Sequence, residues 1–480
     1  MVFSGIPFLY YFLPCVLLAY FVVPKPFRNF VLLIFSLLFY AWGEPVYVFL
    51  MLFSILLGYI IGILLEKSME KEWRIITPGR MLAGSVFVFA GLFIFFKYTD
   101  FFINNINGLT GGDIPLLKMA LPIGISFYTF QIISYLVDVY RGEVPAQKNI
   151  ISLAAYVSMF PQLIAGPIVR YKDVSVQLND RRTTWEMAEA GITRFVIGLS
   201  KKILIANELG ELCNLFRDSQ DKSVLFYWLY AVAFMLHIYF DFSGYSDMAI
   251  GLGKIFGFTF PENFNYPYIA GSITEFWRRW HMTLGSWFRD YVYIPLGGNR
   301  VPKCKWYRNI FVVWMFTGIW HGAAWNFLFW GLYFALLLIL EKHGLLKRLE
   351  KTTWFKYVYV LFFVMVSFVI FNAPDMWMAF EDIGRMFGVG ELPFASTEAL
   401  YYLKSYGITM LIGIIGCMPV IPWISGKIAQ IIEQDTMQKK AAVLRILLGI
   451  AKPVLLITLV VLSTAYLVDG SFNPFLYFRF

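Results

Sequence analysis

Stretches of about 17–25 apolar residues, each long enough to cross a bilayer, recur along the whole sequence, beginning with IPFLYYFLPCVLLAYFVV at residues 6–23. Composition carries the same message. The chain is 59% hydrophobic and only 15% charged, with a mean hydropathy of +0.65, whereas soluble domains carry about 25% charged residues. No polar block is long enough to fold as a separate soluble domain, so residues 1–480 read as one polytopic unit. The first apolar run has no basic residues before it and no small-x-small cleavage site after it, which predicts a retained span rather than a signal peptide. Cys15, Cys213, Cys304 and Cys417 are scattered singly. That pattern is neither a disulfide framework nor a metal knuckle, and predicts buried thiols and no metal site. A net charge of +9 is better explained by basic cytoplasmic loops than by nucleic acid, so the bilayer is the expected partner.

The placement of charge predicts topology. Lys25 and Arg28 follow the first span, and WGEP at 42–45 has no basic residue. Residues 66–80 hold four, 100–117 none, and 140–148 hold Arg141 and Lys148. This alternation predicts an outside N-terminus with basic loops in the cytoplasm. ISLAAYVSMFPQLIAGPIVRY (151–171) is apolar but broken by Pro161, Gly166 and Pro167, with basic sequence on both sides. It predicts a re-entrant hairpin. Spans near 187–207 and 224–249 lead to 250–308, which carries eight Lys/Arg against three acids and is expected at the cytoplasmic face. Residues 309–341 are too long for a simple span and are interrupted at TGIWHG, predicting two helices meeting there. Spans near 356–373, 402–423 and 446–468 follow, with an amphipathic outside helix expected within 374–400 and an outside C-terminus. The expected fold is an all-α polytopic membrane protein of about eleven to thirteen segments, some re-entrant or broken.

Four histidines are the candidates for proton chemistry. His343, in EKHGLLKR, reads as a solvated helix end. His237 lies one helical turn before Asp241 inside a span, in FMLHIYFDFSGYSD, and reads either as a His–Asp pair joining helices or as the lining of a polar path. Asp241 and Asp247 are costly at membrane depth unless they face protein or water, and so mark an interior wall. His321, in WMFTGIWHGAAWNFLFWGLY, is a lone ionisable group between glycines in a tryptophan-rich segment, a setting suited to imidazole acid–base work at a cavity or to a hydrogen-bonded core histidine.

His281 falls in FWRRWHMTLGSWFRDYVYIPLGGNR (276–300), which packs four arginines and seven aromatics into 25 residues. Aromatics at 277, 280, 284, 287/288 and 291 follow helical spacing if Leu284 is counted with them, and predict one amphipathic helix that PLGG ends with a turn. It reads either as an interfacial helix or as an anion-binding floor, with Arg278, Arg279 and Arg289 available to grip phosphates. No P-loop, Gly-x-Ser-x-Gly, His-Glu-x-x-His or dinucleotide fingerprint occurs, which removes sequence support for ATP, serine or zinc hydrolysis.

DFSGYSDMAIGLGKIFGFTFPENFNYPYIAGSITEFWRRWHMTLGSWFRDYVYIPLGGNR (241–300), together with FTGIWHGAAWNFLFWGLY (316–333), closely resembles the membrane-bound O-acyltransferase (MBOAT) family, and within it the alginate O-acetyltransferase membrane-subunit type. FPQLIAGPIVRYKD (160–173) and the terminal FNPFLYFRF fit the same type. YIPLGGNR helps separate the chain from the D-alanyl transfer branch, which shares the FW-x-RWH and FRDY elements. At His237 the family pattern expects glutamine, which weakens a catalytic role there. The resemblance implies a ring of tilted helices around a thinned centre with a central tunnel. It makes His321 the expected catalytic histidine and His281 the second, cytoplasm-side one.

A bacterial plasma-membrane enzyme then follows as the expectation. Acetyl-CoA is its donor substrate, no cofactor is bound, and the acetyl group crosses the membrane to O-acetylate an exported polysaccharide. Arg278, Arg279 and Arg289 are candidate CoA contacts, and Trp280, Asp241, Asp247 and Asn326 candidate tunnel or substrate contacts. By resemblance, a separate extracytoplasmic acetyltransferase would receive the acetyl group. The alternatives are D-alanyl or other acyl transfer from a carrier protein, and transport without chemistry.

Overall fold

Proline at the start and glycine just past the end bound the longest early helix, as a proline-fixed φ and a left-handed cap require: it runs from Pro78 to Thr110 and stops at Gly111, φ +68°. The computed structural model describes residues 2–70, 76–434 and 439–470, and among them every regular element is helical. After an apolar helical stretch over Phe8–Val22 come α1 (Arg28–Gly43), α2 (Tyr47–Met69), α3 (Pro78–Thr110), α4 (Ile125–Tyr140) and α5 (Ile150–Ser158). Next are α6 (Trp185–Ser200) and α7 (Val224–Ile255), then the short α8 (Ile273–Arg279) and α9 (Met282–Phe288). The chain continues through α10 (Lys303–His321), α11 (Trp325–Leu340), α12 (Phe355–Asn372), α13 (Met376–Met386), α14 (Thr397–Gly416) and α15 (Lys439–Asp469). Eight helices among the described residues are long and apolar enough to span a membrane. The other expected segments are shorter or walled in by neighbours, so their sequences need not be uniformly lipid-compatible. The terminal FNPFLYFRF lies outside the described residues.

The 151–171 segment is broken as its prolines require. α5 ends at Ser158, one turn covers Phe160–Leu163, and extended chain leads to Arg170. Backbone groups freed by the break find buried partners: Phe160 N donates to Ser36 Oγ (3.1 Å), Ile168 N to Thr283 Oγ1 (3.0 Å), and Tyr156 Oη to the Val169 carbonyl (2.9 Å). Non-helical backbone at this depth is tolerable only with such shielding.

α7 is the most enclosed of the eight, 78% of its most apolar window lying inside the protein. α6 crosses it where Gly198 meets Gly244; a Cβ on Gly198 would stand 2.5 Å from the Gly244 carbonyl. The charges of this pair are matched. Lys202 meets Asp241 at 2.5 Å, while Asp247 receives Arg194 (2.9 Å) and Lys201 (2.7 Å). His237 Nδ1 lies 2.6 Å from the Ala206 carbonyl. Such carboxylates are costly in hydrocarbon unless paired. Cys213 and Cys417 are buried as expected, but Cys15 and Cys304 are exposed. A small apolar thiol is indifferent to that difference in a membrane protein.

Two apolar cores form. One gathers the first helices with the C-terminal half of α7, α9 and Trp320; the other gathers the N-terminal half of α7 with α8, α11 and α12. Trp280 belongs to the second and Trp287 to the first, so the α8–α9 junction lies on the seam. The α10–α11 junction lies there too, between Trp320 and Trp330.

Candidate active site at two helix breaks

The aromatic stripe of 277–291 predicts one interfacial helix, and the structure departs from that in both respects. His281 adopts the left-handed region (φ +44°), splitting the segment into α8 and α9, and Trp280, Trp287 and Phe288 are buried rather than laid on a surface. A non-glycine residue held there costs about 1–3 kcal/mol, so the surroundings must impose it. Asn263 does much of this. Its Oδ1 receives Thr283 Oγ1 (2.9 Å) and Thr283 N (3.3 Å), and its carbonyl receives Met282 N (3.0 Å). Because the Thr283 backbone N–H can only donate, its contact fixes which amide atom is Oδ1 and leaves Nδ2 to donate to Ser246 Oγ (3.0 Å). Oδ1 therefore accepts from His281 Nδ1 (3.0 Å), which leaves the lone pair of a neutral ring on Nε2. Nε2 is buried and has no partner among the described residues. The PLGG turn is present as expected, with Gly297 and Gly298 at φ +97° and +57°.

His321 closes α10, and the chain reverses through Gly322–Ala324 into α11. The two helices cross closely because Gly331 leaves room for the Trp314 carbonyl, which a Cβ would approach to 2.3 Å. The imidazole is ringed edge-on by Trp320 (5.0 Å between centroids), Trp330 (5.0 Å) and Phe371 (5.3 Å). It is 7% exposed, and Nδ1 has no partner among the described residues. Trp320 also faces His281, 6.0 Å away, so one indole stands against both imidazoles.

Two features of this turn escaped the sequence reading. Lys97 and Tyr98 of α3 bind its carbonyls: Lys97 Nζ donates to Trp320 O (2.8 Å) and His321 O (2.9 Å), and Tyr98 Oη to Gly322 O (2.8 Å) and Ile319 O. A lone lysine in the apolar run FIFFKYTDFF was the signal available for it. Asn263 carried no such signal, since its role depends on contacts across the fold.

The remaining candidates fall in three places. Asn326 follows His321 by one turn of chain, and its Nδ2 is committed to the carbonyls ending α12, Ala373 O at 2.9 Å being the nearest. Its Oδ1 is buried and has no partner among the described residues, so this amide can accept from a hydroxyl but has no free N–H to orient a carbonyl. Trp280 packs among Phe264, Phe276 and Phe368. Asp241 and Asp247 sit in the α6–α7 ion pairs. Arg278 is exposed, Arg279 pairs with Glu275 (2.8 Å), and Arg289 with Asp290 (2.7 Å).

A cavity of about 430 Å³ near the start of α10 is lined by Arg141, Lys172, Glu143 and Asp290, not by Arg278 or Arg279. A second, also about 430 Å³, lies beyond its end, where Ala324, Trp325 and Asn326 meet Asp375 and Trp377.

Spanning helices, two buried imidazoles at helix breaks and an indole between them define a polytopic membrane protein with a histidine centre sealed inside it. The chain belongs to the membrane-bound O-acyltransferase family, whose profile matches residues 144–379. It is 41% identical over 396 residues to the probable alginate O-acetylase AlgI of Azotobacter vinelandii, covering 82% of this chain and 79% of that one. To the peptidoglycan O-acetyltransferase of Helicobacter pylori it is 32% identical over 443 residues, 84% and 83% of the two chains. The teichoic acid D-alanyltransferase of Bacillus subtilis is 31% identical over 274 residues, 52% of this chain and 68% of that one. The protein is a multi-pass membrane acyltransferase.

Proposed function

We propose that this protein takes the acetyl group of cytoplasmic acetyl-CoA and passes it through the membrane for O-acetylation of an exported polysaccharide. The observation that carries the reading is His321: an enclosed imidazole with an unengaged ring nitrogen, at a turn beyond which one of the two cavities opens. CoA is large and multiply charged, so only its thioester end would enter. Arg278 is the exposed cation at the expected face, and Arg141 and Lys172, which pair with Glu143, and Arg289, which pairs with Asp290, would have to exchange those partners for its phosphates. An acceptor hydroxyl loses its proton to His321 as its oxygen attacks the thioester carbonyl. The carbon–sulfur bond breaks, and the thiolate of CoA leaves and takes up a proton. In the covalent variant, the imidazole nitrogen itself attacks first and expels the thiolate of CoA; the hydroxyl oxygen then takes the acetyl group from the acetyl-imidazole, and its proton goes to the nitrogen set free. His281, its proton fixed on Nδ1, offers Nε2 to position the donor or accept a proton.

By this reading the acceptor is a separate extracytoplasmic acetyltransferase that delivers acetyl to the glycan. The alternation of basic loops favours an outside N-terminus and an outside α12–α13 connection, where such a partner could dock. Similarity to alginate and peptidoglycan O-acetylating proteins over more than four-fifths of the chain favours acetyl over D-alanyl transfer, for which the similarity spans about half.

The test is wild-type and His321→Ala protein in lipid, given acetyl-CoA labelled in the acetyl group, with free CoA and protein-bound label counted. Release lost in the variant supports the reading, and label retained on wild type selects the covalent route. If wild type releases no CoA even with its extracytoplasmic partner present, the acetyl-CoA reading is wrong.

A further inference from the structure

Helix ends leave carbonyls without intrahelical partners, and at the end of α10 those carbonyls belong to the residues around His321. Lys97 and Tyr98, adjacent on α3, take four consecutive ones: Ile319, Trp320, His321 and Gly322. The two side chains do different work. The single Tyr98 hydroxyl hydrogen is shared between the carbonyls of Ile319 and Gly322, the first and last of the four. The Lys97 ammonium sits where the helix dipole is negative and binds the His321 carbonyl directly. Among the described residues no carboxylate forms an ion pair with Lys97, in contrast to Lys202, whose charge is met by Asp241.

A cation placed in an apolar helix without a carboxylate is expensive, and an ordinary helix end can be capped by a neutral donor. A lysine nitrogen here supplies more than one donor hydrogen and holds the carbonyls of Trp320 and His321 together, which a cap with a single hydroxyl hydrogen does less firmly. The imidazole itself has no ring hydrogen bond to fix it among the described residues; its direction rests on this backbone and on the three aromatic rings.

We propose that Lys97 and Tyr98 are positioning residues for His321, fixing the backbone from which the imidazole projects toward the transferred acyl group. The inference rests on the assignment of His321 as the reacting group. Displacing a reacting group by about 1 Å can cost about 100-fold in rate, so a staple of this kind acts on turnover and not on donor binding.

The experiment measures steady-state CoA release from acetyl-CoA by the full-length protein in lipid with its extracytoplasmic partner, for wild type, Lys97→Met, Lys97→Arg and Tyr98→Phe. Lys97→Met is expected to lower kcat about 10–100-fold with the KM for acetyl-CoA within about twofold, and Lys97→Arg to recover part of the loss. Tyr98→Phe, which removes one hydroxyl, is expected to lower kcat about fivefold, and it decides the matter if the Lys97→Met protein does not accumulate. Wild-type kcat in both Lys97→Met and Tyr98→Phe overturns the proposal. So does a loss expressed mainly in KM, or an equal loss in the Met and Arg variants. Absence of CoA release from wild type is a different result and removes the acetyl-CoA reading on which the proposal stands.

Discussion

His281 and His321 face the same indole, Trp320, but the protein holds them by opposite means. His281 is fixed through its ring: Asn263 Oδ1 takes the Nδ1 hydrogen, and the backbone is bent into the left-handed region to bring it there. His321 is fixed through its backbone, by Lys97 and Tyr98 on its carbonyls, while its ring is confined by aromatic edges alone. A ring tied by a hydrogen bond has one tautomer and a settled role. A ring held only by its frame can exchange protons at either nitrogen. On the proposed reading His321 is the ring whose protonation changes during transfer, and His281 the ring whose tautomer is held.

The largest test of that contrast is to remove the His321 ring and, separately, to untie the His281 ring. His321→Ala is expected to lower acyl transfer by about 10²–10⁴-fold, the range of a general base, with the protein still present in the membrane in wild-type amount. Asn263→Leu leaves both histidines in place but frees the His281 ring and strands the Thr283 donors. Its expected cost is about tenfold in kcat, the rate equivalent of one buried hydrogen bond. An Asn263→Leu loss as large as that of His321→Ala would show that the fixed imidazole does the proton transfer, and would invert the assignment.

Asn326 gives a smaller effect that separates acceptor from donor. Its amide nitrogen is spent on Ala373 O, so among the described residues only Oδ1 is left to accept a hydrogen bond. Asn326→Leu is expected to raise the KM for the acceptor by about five- to tenfold, consistent with one lost hydrogen bond, and to leave the KM for acetyl-CoA unchanged. A raised KM for acetyl-CoA would instead put this residue on the donor side.

Much of this was legible in the sequence, for reasons that differ by element. Apolar run length and flanking charge revealed the spans, because hydrocarbon thickness sets helix length. Pro161 and the glycines around His321 revealed the breaks, because each residue restricts its own backbone. The break at His281 left no such mark: the sequence there keeps helical spacing, and the left-handed turn is imposed by Asn263 from 18 positions away. Asp241, Asp247, Arg279 and Arg289 were read as candidate contacts because charge stands out in an apolar chain. Their partners, Lys202, Arg194, Glu275 and Asp290, can be assigned only once the helices are packed. Lys97 carried the same signal but was passed over, and its partners are of another kind, backbone carbonyls that no sequence pattern announces.

The smallest expected effect lies beside His281 and leaves both rings untouched. Asp290 ties the turn after α9 to the end of the broken 151–171 segment, through Arg170 Nη1 at 2.7 Å and its neighbour Arg289. Burial pushes the carboxyl upward, but hydrogen bonds and charge from Arg289 and Arg170 outweigh it and hold the group below the usual carboxylate range. A carboxylate whose folded-state pKa is depressed contributes stability that is complete above its unfolded value, about 3.9, and is lost as pH falls through the folded one. Asp290→Asn should therefore unfold at a lower temperature than wild type near pH 7, by less than about 1 kcal/mol for so exposed a partner as Arg289. The gap should narrow as the pH is brought below about 4. Thermal unfolding in detergent at both pH values reads this, and a gap that stays constant with pH would mean the carboxylate charge is not what anchors the His281 side. With His321 carrying its own staple on α3, turnover at pH 7 should change less in Asp290→Asn than in any variant above.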